Sequence, residues 1–467
     1  MQKIIPVVLL LSLTRLAAQS PVIDSLDKAF TQLAKEGYLS GNLLLAEGDQ
    51  ILLRKSYGHA NFEERVPLRE DAVLELASVS KQFTAAAVAL LVADGKLDLD
   101  APVTNYLAEL AAYPDLTPRH LIHHTGGLPD YMSAVRTIDE MPEFVTNDFV
   151  LDYLEREKPA TDFRPGEKFE YSNTGYLILA SLVERVSGQG FGDFLKQRLF
   201  EPLGMEDSQV YRRRYEKNRT VDRFVPGYVW DGEQYVIPDS LQGYEFVKTL
   251  DGIYGDGMVN STLDDLYRWD RALAAGELLD TALLFGQGLT SKGESTGYGF
   301  GQGISEHPDY GYTISHSGGW PGVATYIYRF PDSDRLLILL RNDGGGRNER
   351  VNPLRAALRA LHGLPLELET LSPPKAGTVD TAAVKELLGT YAVSPAFKLS
   401  FFLSEGGKFM TQATGQSALE VGKHPTEDRY MLLDVAAELQ FHRDAAGSVS
   451  SLTLYQGGQE VAAVREE

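Results

Sequence analysis

The chain contains no cysteine. Disulfides, cysteine-ligated zinc, thiol catalysis and a lipidated N-terminal cysteine are therefore excluded. Positive charge is also scarce: 44 Lys and Arg stand against 65 Asp and Glu, a formal net charge of −21. That balance disfavours nucleic acid and anionic membrane surfaces as partners. After the first 20 residues no run is long and apolar enough to cross a bilayer. There is no internal repeat, no low-complexity tract and no HExxH-like cluster, so neither a metal nor another cofactor is implied. The glycine-rich stretches GYGFGQG and NDGGG lack the Gly-Lys-Ser/Thr and the helix that a phosphate loop needs, and they read as strand and turn glycines.

What is present is a globular chain of 467 residues with 43% hydrophobic content, long enough for roughly two or three domains. The opening MQKIIPVVLLLSLTRLAAQS sets one Lys before the apolar run Ile4–Leu13, followed by small residues. It reads as a secretory leader over residues 1–20, which predicts an exported protein, periplasmic or extracellular. Strand-like runs GNLLLAEGD and QILLRKSYG lie near the start, and ATYIYRF and RLLILLRND lie near residue 330, joined by the turn Pro331-Asp332-Ser333-Asp334. The stretch from about 100 to 285 reads as mostly helical, with Thr262 and Asp265 forming a capping signal for LDDLYRWDRAL. Strands from both ends of this unit with helices between them predict one sheet built from both. The unit is expected to span 21–363, followed by a proline-containing linker over 364–380. From 381 to 467, short alternating runs separated by glycines predict seven or eight strands in a small antiparallel barrel or sandwich.

Three short motifs carry the chemistry. Ser78-Val79-Ser80-Lys81 opens the apolar run SVSKQFTAAAVALLVADG. Residues i and i+3 share a helix face, so an amine sits beside a hydroxyl at a helix N-terminus, where Lys81 can take the Ser78 proton. Read alone, the same pattern fits a serine cap and a solvated lysine. Tyr171-Ser172-Asn173 adds a phenol that becomes a base or proton shuttle only beside a cation, and an amide that can hold both Lys81 and a substrate carbonyl. His316-Ser317-Gly318-Gly319 precedes the strand VATYIYRF. Its glycines permit close approach of a substrate on an edge strand, and the N–H groups of Ser78 and Gly319 can form an oxyanion hole.

In this order the three motifs resemble those of the active-site serine family of β-lactamases and penicillin-binding proteins, in particular the class C branch with its D,D-peptidase and esterase relatives. LELASVSKQFTAAAV, LIHHTGGLPDY, PGEKFEYSNTGY, GDGMVNSTLDDLYRW and YGFGQGI are similar to stretches of that family, and the likeness covers roughly residues 24–362. The resemblance implies an α/β (α+β) fold: an antiparallel sheet flanked by helices, an all-helical subdomain, and a small C-terminal barrel-like domain. It also implies roles. Ser78 is the nucleophile, Lys81 helps to remove its proton, and Tyr171 acts as base and then as acid. Asn173, His316, Ser317 and Gly319 bind substrate. The implied substrate is a small ester or amide: a D-amino-acid peptide, an ester or a β-lactam.

Two departures qualify the likeness. His316 stands where many relatives carry Lys. An ordinary histidine is mostly neutral at pH 7, so the grip on a substrate carboxylate is weakened and strong β-lactamase activity is disfavoured. If His316 binds carboxylates only when protonated, KM for acidic substrates should rise between pH 6 and 8. Gly126 stands where relatives usually have Ser, and the adjoining His123 and His124 read as packing or capping residues. A second function class stays open at this point: a non-catalytic protein that keeps the fold and binds cell-wall or peptide ligands. Tyr228, Trp230, Tyr235, Tyr244 and Tyr254 make the 205–250 region aromatic, either as a cleft wall or as packing.

Overall fold

The computed structural model describes residues 20–134, 141–276, 279–345, 352–366, 377, 379–394, 397–404, 406–414, 418–424, 428–433, 437–444, 446–456 and 459–466. Residues 1–19 of the expected leader, and 367–376 and 378 of the expected linker, lie outside them.

Among the described residues, the main sheet has six antiparallel strands in the spatial order Gly303–His307, Gly311–Trp320, Val323–Phe330, Arg335–Arg341, Gly41–Glu47 and Gln50–Tyr57. The first strand in sequence thus pairs onto the last of this sheet, with Leu43 opposite Leu339 and Leu45 opposite Leu337, and the second strand adds outside the first. The central strands carry continuous apolar runs, not alternating ones, because both faces are covered. Leu43, Leu45, Leu337 and Leu339 pack against the helices Pro21–Lys35 and Pro353–Leu361. Their neighbours Leu44, Ala46, Leu336, Ile338 and Leu340 face the opposite way, into the larger core that contains the helices Lys81–Ala93 and Asn173–Ser187. Truncating any one of these fully buried leucines to alanine costs about 2–5 kcal/mol.

The middle of the chain is helical only in part. Asn147–Glu157, Asn173–Ser187 and Leu263–Ala275 are helices, the last capped by the Thr262 hydroxyl, which accepts from the Asp265 N–H. Residues 205–250 instead form short strands and turns, with single helical turns at Pro238–Ser240 and Phe246–Thr249. Their aromatic residues pack: Phe62 lies against Tyr228 and Tyr235, with ring centroids 4.9 and 4.3 Å away, and Trp230 packs edge-on against Tyr235. Tyr254 bonds Glu184 and stacks on Phe191.

The C-terminal strands close an eight-stranded antiparallel barrel from Gly389–Ser394 to Gln459–Arg465, sealed where Tyr391 and Ala392 meet Arg465 and Val464. Its interior is filled by its own cluster, in which Tyr391, Phe401 and Phe441 meet edge to face at 5.2–5.5 Å. The sealing strand Gly389–Ser394 is one that the alternation of the tail did not single out. Among the described residues, no helix is long and apolar enough to cross a membrane.

Candidate active site

Ser78 lies in a single 3₁₀ turn, Ala77–Ser80, that runs directly into the helix Lys81–Ala93. Ala77, just before it, has φ +46°, a left-handed backbone that is strained for a residue with a side chain. The turn is held from two sides. The Leu76 carbonyl accepts the Thr325 hydroxyl at 2.7 Å, and the Ser80 hydroxyl accepts the Val259 N–H at 3.0 Å. Gly318 presses on the same turn. A Cβ there would fall on the Leu76 carbonyl oxygen and the Thr325 hydroxyl, so only glycine fits. Gly319 next to it has open space on its face and lines the cleft with Ser78. The expected edge strand is an edge only over this half, because Gly303–His307 pairs with Gly311–Ser315 and stops short of His316.

Lys81 is fully buried, and its ammonium donates in three directions: to Ser78 Oγ at 3.0 Å, Asn173 Oδ1 at 2.9 Å and the Asp256 carbonyl at 2.8 Å. All three N–H donors are used. The contact with Ser78 brings the amine within proton-transfer distance of the hydroxyl. Asn173 is aimed at Lys81 by Asp130, whose carboxylate accepts from both the Asn173 backbone N–H (2.8 Å) and its side-chain amide (3.2 Å). Asp256 is fixed by the Tyr131 hydroxyl at 2.9 Å, and burial raises its carboxyl above the ordinary range. Tyr171 is 40% exposed and lays its ring 5.0 Å from the Lys81 ammonium.

Sequence reasoning did not assign Asp130 or Asp256 a role. Both lie in stretches similar to the family, GLPDY and GDGM, but no local spacing points from either to Lys81.

His316 corrects an expectation. It is buried, its Nε2 is paired with the Tyr298 hydroxyl at 2.9 Å and its Nδ1 with the Ser317 carbonyl at 2.6 Å. Burial, reinforced by the Lys81 charge, pushes it down to about 3. Burial thus disfavours the protonated form that switching carboxylate binding on between pH 6 and 8 would need. Ser317, on the opposite face of the strand, is exposed.

His123 and His124 are buried, which accords with packing, but His124 does more. Its Nδ1 accepts the Ser172 N–H at 3.1 Å, and its ring lies 4.3 Å from that of Tyr171. Burial first, then the Lys81 charge, holds it neutral, so it sets the position of the phenol without adding charge. Gly126 is tight: a Cβ would stand 3.0 Å from Leu116 Cδ1.

A hydroxyl, an ammonium and an amide in direct contact, with a phenol over the ammonium and two glycines at an open strand edge, is an arrangement suited to acyl transfer. Comparison with known proteins adds the family. The family model described as Beta-lactamase matches residues 26–361. A penicillin-binding protein of Bacillus subtilis (strain 168) is 36% identical over 448 residues, covering 94% of this chain and 98% of that protein. Esterase EstB of Burkholderia gladioli is 28% identical over 382 residues, covering 72% of this chain and 93% of that protein. The crystal structure of a penicillin binding protein from Bacillus halodurans aligns with a TM-score of 0.59 at 26% identity, covering 72% of this chain and 98% of that one.

Proposed function

The chain belongs to the beta-lactamase family of serine hydrolases, and from that premise we propose that it is an exported enzyme that cleaves a small ester or amide through an acyl-enzyme on Ser78. The observation that carries the reading is the buried Lys81 ammonium bonded at once to Ser78 Oγ and Asn173 Oδ1. Ser78 Oγ attacks the carbonyl carbon and a C–O bond forms. Tyr171 takes the Ser78 proton and returns it to the leaving oxygen or nitrogen as the C–O or C–N bond breaks. Asn173 orients the substrate carbonyl group, and the N–H groups of Ser78 and Gly319 stabilise the oxyanion. Water then repeats the sequence on the ester. D-amino-acid peptides, esters and β-lactams all offer a carbonyl of this kind. The neutral His316 supplies no charge to hold a substrate carboxylate, which favours peptidase or esterase work over strong β-lactamase activity. Export rests on the N-terminal apolar run behind Lys3.

The test is covalent labelling. A fluorescent penicillin or a fluorophosphonate should add one adduct by intact mass, mapping to Ser78, and Ser78→Ala should lose both adduct and turnover. Turnover that survives in Ser78→Ala, or no adduct with either reagent, would sink the proposal.

A further inference from the structure

The cleft beside Ser78 holds a carboxyl that this chemistry does not use. Glu75 ends the short strand Val73–Glu75, three residues before the nucleophile, and is half-buried. It lines the same cleft of about 480 Å³ as Ser78 and Gly319, where the surrounding wall includes Leu250, Ile253 and Met258 and a second carboxyl, Asp256, that is already bonded to the Tyr131 hydroxyl. The nearby guanidiniums are held elsewhere: Arg214 by Asp239 and Asp251, and Arg213 by Asp239. Among the described residues, no hydrogen bond or ion pair satisfies the Glu75 carboxyl. A half-buried carboxyl that no donor contacts, with its nearest guanidiniums bonded to other carboxylates, is costly unless a ligand supplies a partner.

We infer that Glu75 is a specificity-determining residue that receives a primary ammonium on the substrate, and so selects amine-bearing esters or amides over neutral isosteres and over acidic ones. The substrate half of this statement rests on the hydrolase reading, but the ammonium site does not. Burial raises the Glu75 carboxyl to about 7; Asp251 adds to the rise, and Arg214 and Arg213 oppose it. An arriving ammonium favours the ionised form, and a charge-assisted hydrogen bond in a partly desolvated cleft is among the stronger polar contacts.

Calorimetry with benzylammonium and benzyl alcohol tests the site without turnover. At pH 8, benzylammonium should bind about tenfold tighter than the alcohol in the wild type and in Ser78→Ala, and the preference should vanish in the isosteric Glu75→Gln. Equal binding of the two probes in the wild type, or a preference that persists in Glu75→Gln, would overturn the inference. Should Glu75→Gln fail to fold, the wild-type preference must still grow between pH 6 and 8 as the carboxyl ionises, and a flat preference would count against it. In turnover, kcat/KM is compared for esters that carry the amine on the acyl side or on the alcohol side, each against its methyl isostere. A gain on one side identifies the half recognised, and no gain on either refutes the substrate claim. Failure of the hydrolase reading looks different: no Ser78-dependent turnover, with the ammonium preference intact.

Discussion

At the scale of single residues, the site is a set of buried polar groups that exist for one another. Lys81 is tolerable in the core because each of its three N–H donors has an acceptor. Lys81→Met keeps the volume but strands Asn173 Oδ1 and the Asp256 carbonyl. Its kcat/KM should fall by several orders of magnitude, since residues of such a set act as a unit, while the circular dichroism spectrum stays native. Less than a hundredfold loss would show that the ammonium is dispensable. His316 makes a different prediction. Its folded-state pKa of about 3 lies below the ordinary histidine value. Between pH 6.5 and about 3 the unfolded chain therefore binds a proton that the native chain refuses, and stability falls as pH falls. His316→Gln removes that coupling, so its Tm should gain on the wild type as pH drops from 7 to 5. A Tm difference that stays constant with pH would mean that His316 is charged in the native state.

At the scale of elements, the candidate active site depends on a glycine strand pushed against a strained turn. Gly318→Ala should displace the Ser78 turn, because the new methyl meets the Leu76 carbonyl oxygen. A displacement of about 1 Å in a site of this kind costs roughly a hundredfold in rate, and the overpacking about 1–3 kcal/mol in stability. Kinetics and thermal melting of the variant would show both, and wild-type values for both would mean that the strand yields freely. Much of this was readable in advance. The apolar runs at 41–47 and 335–341 marked strands, and Thr262 marked a helix start. What the local pattern could not convey is contact between stretches far apart. Asp130 reaches Asn173, Asp256 reaches Lys81 and Glu75 faces the cleft only through the packing of distant segments. His316 looked like a pH-sensitive ligand because its burial beneath Tyr298 has no sequence signature. The region 205–250 was opaque because turns and two-residue strands carry no periodicity.

At the scale of the whole molecule, the barrel has a hydrophobic cluster separate from the two that hold the main sheet. Calorimetry of the full chain should show two unfolding transitions, and a chain truncated after residue 379 should lose one of them and keep the other. A single transition common to both proteins would show that the barrel does not unfold as a unit of its own. The main sheet has the opposite character. The strand Gly41–Glu47 sits between Gln50–Tyr57 and Arg335–Arg341, so it lacks one neighbour until nearly all of the unit has been synthesised. Its long-range pairing is the slow kind, formed after local helices and hairpins. The serine is made early but its surroundings arrive late, because Gly318 and Thr325 belong to the final quarter of the unit. A growing chain therefore carries Ser78 without the strand that holds its turn, and the proposed acyl-enzyme chemistry must wait until residue 325 of 467 has been added.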